Sequence, residues 1–485
     1  MKKISTLILL LAISSISYAQ IKQESRYFIQ ESKTSHGSVY YISHSENMPK
    51  IKDAKLIFSS TSSDILQQIK PKSGDQILFE SGDFFQGSLN IEAQGKLNAP
   101  IKISRFGKGN RPVLDGNGAK AVISLLNPAY FVIENLEIMN EKGDYGILIE
   151  AKNSGELKNI TIQDCEIHSV FLASKKKEVA TNDGNKYHGG IKVIIYKGEQ
   201  PSWWNGFVVQ RNYIHNLGLC GFSIRSEYLL HKNARGNEAP FPSFNVLMEN
   251  NSIKNIIRDG VIMAEVDGAI MQYNELCRIG QMGLANGIWF WDAQNSVIQR
   301  NIGYECHSFQ NDGGPFSIDY YSTNCAIQYN YSYNNDGPGM MAFGNHESGK
   351  GNLIKGNVSY NDNRMNQDDG FAAITILSAA TEVIVEDNTV IAGSGTNYLV
   401  DHLDWEGKPL DVLYRNNKFY GNNNAQFGRF LNTGAKFEGN IFTNVPNLPE
   451  NIIGEKNQTI FDKKFADKLA KKLNVGVQKS DFLVK

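Results

Sequence analysis

Three acidic side chains lie at the ends of short apolar stretches that we predict to be neighbouring strands. They are Glu265 after GVIMA, Asp292 after GIWFW and Asp319 in PFSIDY. Neighbouring strands lie about 4.8 Å apart, so Glu265 with Asp292, or Asp292 with Asp319, could place two carboxylates near 5 Å, the spacing that retaining glycosidases use. Close like charges leave one acid protonated and its partner ionised. We therefore predict a catalytic carboxylate pair, Asp292 and Asp319, with Glu265 as the third choice; singly, each acid also fits a turn-capping role.

The outward positions of the same strands carry aromatic and charged residues that suit a saccharide. Apolar residues occupy every second position, as burial of one sheet face requires. The alternate, outward positions include Lys192, Arg225, Trp289 and Trp291. Flat aromatic rings stack on sugar rings. A surface without a binding role would rarely carry such a cluster of aromatic and polar side chains. The predicted substrate-binding residues are Trp289, Trp291, Arg225, Lys192, His188, Tyr320, Asp312 and His346.

Two insertions and one glycine-rich turn belong to the same region. The long segments 175–190 and 227–242 interrupt the pattern of strands and are expected to wall a groove. Asp312 stands in the stretch QNDGGPFSID. It could be catalytic or a turn residue, and the adjacent glycines favour the turn.

Two other functions use the same face differently. A polysaccharide lyase needs a base and a cation or metal that neutralises a uronate carboxylate; Lys192, Arg225 and His188 are candidates, and Ca²⁺ would be the cofactor. Lys192 and Arg225 stand three or four strands from Asp319, so one site cannot easily use both ends. A carbohydrate-binding solenoid without catalysis would use only the tryptophans. We favour the hydrolase, which needs no metal, and keep the lyase and the binding protein as alternatives.

These residues must be positioned by a repeat. Apolar strands followed by asparagine recur at intervals of roughly 20 to 50 residues, which is typical of a solenoid. The recurring positions are Asn135, Asn212, Asn251, Asn274, Asn301, Asn330, Asn357, Asn388 and Asn417, with Cys165 in the equivalent slot. Stacked amides can bond to the coils on either side, and asparagine tolerates left-handed turns. The pattern predicts an all-β parallel β-helix.

A family resemblance supports this fold. SSDILQQIKPKSGDQILFESGDFFQGSLNI and NAPIKISRFGKGNRPVLDGNG resemble the capping helix and first coils of the pectin-lyase-like right-handed parallel β-helix superfamily. The resemblance implies the fold and a carbohydrate-active protein, but that superfamily carries lyases, hydrolases, epimerases and adhesins. Loose similarity of the Asp312 stretch to β-helical glycoside hydrolases adds to the hydrolase prediction, although the full polygalacturonase motif set is missing.

The ends of the chain give further expectations. Residues 1–19 have the pattern of a signal peptide, with Lys2 and Lys3 before an apolar stretch, so the protein is expected to be periplasmic or secreted. Residues 20–75 are assigned to an N-terminal extension and helical cap, 76–445 to the β-helix and 446–485 to a C-terminal cap. Residues 446–485 are predicted to contain an amphipathic helix with apolar residues four apart, from Phe461 to Leu473.

Composition limits the partners. The 485 residues carry a net charge of -1 and include five cysteines. A near-neutral chain lacks the basic surface that nucleic-acid binding requires, and an odd, small number of cysteines favours small buried side chains over disulfides. We expect a monomer that binds a polysaccharide or oligosaccharide, with no nucleic-acid partner and no membrane span.

Overall fold

The fold is seen in a computed structural model of the chain. It describes residues 37–44, 55–58, 69–171, 187–233, 241–282, 284–308, 312–345, 349–365, 371–396, 398–422, 425, 426, 428, 434–445, 448, 464, 467, 468 and 471. The chain divides into two compact units, Met1–Thr34 and Ser35–Lys485, and every described residue belongs to the second.

Among the described residues of this unit, forty short strands and one short helix have defined bounds. The first ten strands are β1 (Val39–Ser43), β2 (Lys55–Phe58), β3 (Gln76–Glu80), β4 (Phe84–Gln86), β5 (Leu89–Gln94), β6 (Ile101–Phe106), β7 (Val113–Asp115), β8 (Ala121–Ala129), β9 (Phe131–Glu134) and β10 (Glu137–Asn140). The next ten are β11 (Tyr145–Ala151), β12 (Gly155–Gln163), β13 (Glu166–Val170), β14 (Gly189–Ile195), β15 (Ser202–Gln210), β16 (Tyr213–Leu217), β17 (Cys220–Ser226), β18 (Ser243–Glu249), β19 (Ser252–Ile256) and β20 (Val261–Ala264). The third ten are β21 (Val266–Asp267), β22 (Ile270–Gln272), β23 (Glu275–Ile279), β24 (Ile288–Trp291), β25 (Val297–Gln299), β26 (Ile302–Tyr304), β27 (Phe316–Ile318), β28 (Ala326–Gln328), β29 (Tyr331–Tyr333) and β30 (Met340–Gly344). The last ten are β31 (Leu353–Lys355), β32 (Val358–Tyr360), β33 (Ile374–Ser378), β34 (Ile384–Glu386), β35 (Thr389–Ile391), β36 (Val400–Leu403), β37 (Val412–Arg415), β38 (Lys418–Tyr420), β39 (Ala435–Glu438) and β40 (Ile441–Thr443), and α1 spans Leu230–Asn233 between β17 and β18.

The strands form three long sheets. Sheet A runs β2-β1-β3-β6-β9-β12-β15-β18-β22-β25-β28-β31-β34-β37-β39, with β21 beside β18. Sheet B runs β4-β7-β10-β13-β16-β19-β23-β26-β29-β32-β35-β38-β40. Sheet C runs β5-β8-β11-β14-β17-β20-β24-β27-β30-β33-β36. Along most of the chain, each coil contributes one strand to each sheet in turn. Neighbouring strands within a sheet are parallel, as β24 and β27 are. The architecture is therefore the predicted parallel β-helix.

The register of sheet C agrees with the alternation read from the sequence. Ile288 pairs with Phe316, and Phe290 with Ile318. These apolar side chains are fully buried in the one long core that the three sheets enclose. The residues between them face outward, so the sequence pattern placed the two faces of sheet C correctly.

Glycines begin most of these strands because the coils stack too closely for a side chain there. A Cβ atom built on Gly190 would lie 2.7 Å from the carbonyl oxygen of Gly221, and one on Gly287 would lie 2.6 Å from that of Pro315. Real Cβ atoms do not approach oxygens so closely, so these positions fix the start of each strand in sheet C.

A ladder of buried asparagines joins successive coils at one corner. The backbone N–H and the Nδ2 of Asn301 both donate to Oδ1 of Asn330, at 2.9 and 3.0 Å, and Nδ2 also donates to the carbonyl of Met271. The same bonds recur at Asn212, Asn251, Asn274, Asn330, Asn357, Asn388 and Asn417, and Asn440 ends the series. The amide stacking that the repeat predicted is therefore confirmed.

Two details of that prediction are wrong. Asn135 is not a ladder residue: it has φ 57° and aligns with Asp164, while Leu136 takes the buried slot beside Cys165. The left-handed residue is consequently the one before the ladder asparagine, such as Arg300 with φ 56° before Asn301. The ladder amide serves hydrogen bonding, and the residue preceding it makes the turn.

All five cysteines are free and buried, as expected for small apolar side chains. Cys165 begins the asparagine ladder, where its N–H donates to Oδ1 of Asn212. Burial raises the pKa of the Cys165 thiol to about 12, so it stays protonated.

The predicted ends are only partly described. The signal peptide and the N-terminal helical cap lie outside the described residues, apart from Ile69 onward, and β1 already pairs with β3 in sheet A, so the solenoid begins before residue 76. Near the other end Lys464, Asp467, Lys468 and Lys471 are helical. The hydroxyl of Tyr331 donates to the carboxylate of Asp467, which places this residue beside sheet B, several coils before β40. Among the described residues, no helix has the length and apolarity to cross a membrane.

One buried histidine makes stability depend on pH. His402 lies in the core, with Nε2 2.9 Å from the Tyr414 hydroxyl and no partner for Nδ1 in the described part of the chain. Burial lowers the pKa of His402 to about 4. The unfolded chain therefore binds more protons than the folded chain between pH 6.5 and 4, so the free energy of unfolding falls as pH decreases through this window.

We expect the free energy of unfolding of the wild-type protein to fall by about 2 to 3 kcal/mol between pH 7 and pH 4.5 because of His402. His402→Gln keeps a side chain that can bond to Tyr414 but does not titrate, so it should lose less over the same interval. Urea unfolding of both proteins at the two pH values measures the difference. Equal losses would show that His402 is not the group responsible.

Candidate functional site

The carboxylate of Asp292 is buried beneath the loop that contains α1. Asp292 ends the coil of β24 with φ 50° and is 1% exposed. Its Oδ1 accepts the backbone N–H of His231 and its Oδ2 lies against Nδ1 of the same residue, both at 2.9 Å. Burial raises the pKa of Asp292, although the contacts with His231 oppose this shift. Direct contact between substrate and this carboxylate, which the predicted catalytic role requires, is blocked in this geometry, and the role itself stays a prediction.

Glu265 takes the same place one strand earlier and is also buried. It is 0% exposed, Oε2 accepts the N–H of Ser226 at 2.7 Å, and Oε1 has no partner among the described residues. Burial raises the pKa of Glu265 well above its ordinary value, and the nearby charge of Asp292 adds to the shift. Burial therefore favours the protonated form of this carboxyl group, which lies away from solvent.

Asp319 has a different position from Asp292. Its N–H donates to the carbonyl of Phe290, while Asp292 donates to the carbonyl of Tyr320, so Asp319 aligns with Trp291 on the outward face. Asp319 is half-buried, and its Oδ1 accepts the N–H of Tyr320 at 2.7 Å. It is therefore the acid of the predicted three that faces the groove side of sheet C.

A second half-buried acid and an unpaired hydroxyl belong to the same coil. Asp312, with φ 68°, precedes β27 and forms a bridge with Ala285. Ser317 lies between Phe316 and Ile318, so its side chain faces outward, and its buried Oγ has no partner in the described part of the chain. The coil of β27 thus carries Asp312, Ser317 and Asp319 within eight residues.

The two tryptophans differ in accessibility. Trp289 is 5% exposed and Nε1 donates to Oδ1 of Asp259 at 2.9 Å, so the expected open sugar platform is wrong for this residue. Trp291 is half-exposed and presents its ring edge-on to His231 and Tyr321, at 5.9 and 5.7 Å between ring centroids. Trp291 remains available to a ligand.

Lys192 and Arg225 form a cationic end of the same face. Ile194 pairs with Arg225, and Lys192 with Ser223, so they stand four and three strands from β27 in the order of sheet C. Lys192 Nζ lies 3.4 Å from the Tyr145 hydroxyl, and Arg225 packs on the Tyr187 ring. In the described part of the chain, neither forms an ion pair. Burial lowers the pKa of Lys192, and the charge of Arg225 lowers it further.

The remaining predicted residues are spread around these groups. His188 contacts the Tyr145 ring, its buried Nδ1 has no described partner, and burial lowers the pKa of the imidazole. Tyr320 follows Asp319, and its hydroxyl lies 3.1 Å from Oγ of Ser378. His346 lies outside the described residues.

His231 is the main residue that the sequence did not reveal. Its ring stacks on Tyr321 at 3.8 Å between centroids and lies between Asp292 and Trp291. It stands in the 227–242 insertion, which the sequence identified as a groove wall without assigning any histidine there. Because an insertion has no periodicity, only the loop itself, and no residue in it, could be predicted.

The described residues contain no group of three or more histidine, cysteine, aspartate or glutamate side chains that could hold a metal ion.

Comparisons with known proteins agree with the fold. The chain has a parallel β-helix architecture, and no family model matches it. A lacto-N-biosidase of Bifidobacterium longum subsp. longum is 22% identical over 90% of this chain and 32% of that protein, so the chain spans about a third of that relative's length.

Two solved structures share the architecture. A crystal structure of a GH136 lacto-N-biosidase from Eubacterium ramulus has a TM-score of 0.61 at 20% identity, covering 79% of this chain and 68% of the other. A mannuronic acid specific polysaccharide family 6 lyase from human gut microbiota has a TM-score of 0.57 at 12% identity, covering 91% and 96%. At these identities the likeness concerns the fold.

Proposed function

We propose that this protein is a glycoside hydrolase whose active carboxylates are Asp319 and Asp312. The observation that carries the proposal is accessibility: these two acids are half-buried on the coil of β27, whereas Glu265 and Asp292 are buried. A group that protonates or attacks a glycosidic bond must touch it. The sequence similarity to a lacto-N-biosidase supports a glycosidic substrate.

In this mechanism one carboxyl group donates a proton to the departing glycosidic oxygen, and the other, as carboxylate, acts as nucleophile or activates water. The partly exposed ring of Trp291 is placed to bind the sugar. An indole ring stacks on the apolar face of a pyranose.

Asp292 acts through His231 in this proposal. Its two oxygens hold the backbone and ring of His231, and this ring in turn packs on Tyr321 and Trp291. Asp292 is therefore a positioning residue for the aromatic wall of the site. The predicted pair Asp292 and Asp319 becomes one substrate-contacting acid and one supporting acid.

A panel of substrates tests the reaction class. Purified protein is incubated with neutral oligosaccharides, aryl glycosides including a lacto-N-bioside, and polyuronates, and reducing ends and ultraviolet absorbance are read together. We expect new reducing ends on a neutral glycoside, with no rise in absorbance. Absorbance rising with the reducing ends on a polyuronate would contradict hydrolysis.

A lyase is the second candidate because of the cationic end of the groove. Among the described residues, neither Lys192 nor Arg225 forms an ion pair, and burial lowers the pKa of Lys192, as suits a general base. A uronate carboxylate could occupy this end. Loss of an absorbance signal in Lys192→Ala, with activity retained in Asp319→Asn, would favour this second function.

We also propose export, on the signal-like pattern of residues 1–19. N-terminal sequencing of the mature protein from culture fluid and periplasmic extract tests this. A chain that retains Met1 and stays in the cytoplasm would contradict it.

A further inference from the structure

An exposed tryptophan stands beyond the proposed catalytic coil. Trp405 follows β36 and is 44% exposed. Its ring packs against Phe371 and Phe343, with centroids 5.6 and 6.2 Å apart. Both phenylalanines are buried. Trp405 is therefore a fixed aromatic surface, supported from below and open to solvent above.

The register connects this surface to Asp319. Ile318 pairs with Ala342, so Asp319 and Phe343 lie next to each other on the outward face, about 4.8 Å apart as neighbouring strands are. Because the Trp405 ring contacts Phe343, it stands on the order of 10 Å from Asp319. The surface thus lies on the side of Asp319 that is away from Lys192 and Arg225.

The chain neighbours of Trp405 are acidic, and the exposed Lys408 follows three residues later. Asp404 and Glu406 flank it in the chain and are exposed. Tyr320, whose ring packs on Phe343 at 5.2 Å, lies between Asp319 and this loop. Burial raises the pKa of Tyr320, and the charge of Glu406 adds to this shift. Carboxylates accept hydrogen bonds from sugar hydroxyls and repel carboxylate or sulfate groups.

We propose that Trp405 is the platform of a second sugar subsite, which binds a neutral pyranose of a substrate that extends from Asp319 past Phe343. This rests on the proposed function, since it takes Asp319 as the cleavage point. The ring supplies stacking area, and Asp404 and Glu406 supply acceptors that exclude uronates. The substrate is accordingly a neutral oligosaccharide or polysaccharide of several units.

Affinity electrophoresis tests the subsite without requiring turnover. Wild type, Trp405→Ala, Trp405→Phe and Leu410→Ala are run in native gels containing galactomannan, xyloglucan, arabinogalactan, alginate or polygalacturonate. Leu410 is the matched control, because it is 53% exposed and lies in the same connection between β36 and β37. Melting temperatures check that each variant is folded.

We expect at least one neutral polymer to retard wild type, Trp405→Phe and Leu410→Ala, with apparent affinity about fivefold weaker in Trp405→Ala. The two polyuronates should not retard the protein. The subsite is overturned if no neutral polymer retards wild type, if Trp405→Ala binds as wild type does, or if polyuronates bind as well as neutral polymers. Retardation that depends on Trp405 without release of reducing ends would contradict the hydrolase but keep the subsite.

Discussion

Asp319→Asn is expected to lower turnover of a neutral glycoside by roughly 10³- to 10⁴-fold while saccharide binding survives. Asparagine matches aspartate in size and still accepts the N–H of Tyr320, but it can neither donate a proton nor attack carbon. Asp312→Asn should cause a loss of the same order for the same reason. Asparagine tolerates the left-handed backbone at φ 68°, so the turn is kept and the loss reports on catalysis. Initial rates and gel retardation of each variant measure catalysis and binding separately.

Two further variants separate this pair from the alternatives. Asp292→Asn should reduce turnover only about tenfold, because asparagine still accepts the N–H of His231 and can donate to Nδ1 in the other tautomer. Asp411→Asn, at an exposed acid with φ 52°, should change nothing. Wild-type activity in Asp312→Asn would reduce Asp312 to a turn residue. A loss in Asp292→Asn as large as in Asp319→Asn would restore Asp292 and Asp319 as the catalytic pair.

Asn301→Ala is expected to lower the free energy of unfolding by about 4 kcal/mol. Oδ1 of Asn301 accepts both the N–H and the Nδ2 of Asn274, while its Nδ2 donates to Met271, Gln299 and Asn330. Alanine leaves these buried groups without their partners. Each unsatisfied group costs about 1 to 3 kcal/mol.

Asn90→Ala is the control for this stability measurement. Asn90 is exposed in β5, and among the described residues its side chain bonds to the Ser88 hydroxyl alone, so its loss should cost less than about 0.5 kcal/mol. Urea unfolding at pH 7 compares the two variants with wild type. Equal small losses would mean that the ladder contributes no more than surface amides do.

The sequence allowed the fold and the face of the site to be predicted because both depend on short periods. Strand alternation and the spacing of glycine and asparagine identified sheet C, its register and its outward residues, including Asp319 and Trp291. The ladder was misjudged at Asn135, because the left-handed residue and the buried amide are adjacent and either position can hold asparagine.

The solvent accessibility of the candidate residues could not be predicted, because it depends on loops and on burial. The burial of Asp292 results from His231 in an insertion without periodicity, and the burial of Trp289 results from its bond to Asp259. Trp405 also lies between strands, outside the repeat. Periodicity gives the direction of a side chain, but only the packing of loops decides whether solvent reaches it.

The repeated bonds of the asparagine ladder have a consequence for how such a chain can change its length. Each ladder asparagine uses the same donors and acceptors as the next. If one coil is deleted or duplicated, the asparagines of the coils on either side can therefore still form the same hydrogen bonds. Sheet C continues for three strands, β30, β33 and β36, after β27. Gain or loss of whole coils there would lengthen or shorten the reach of the groove while the coil that carries Asp319 stays unchanged.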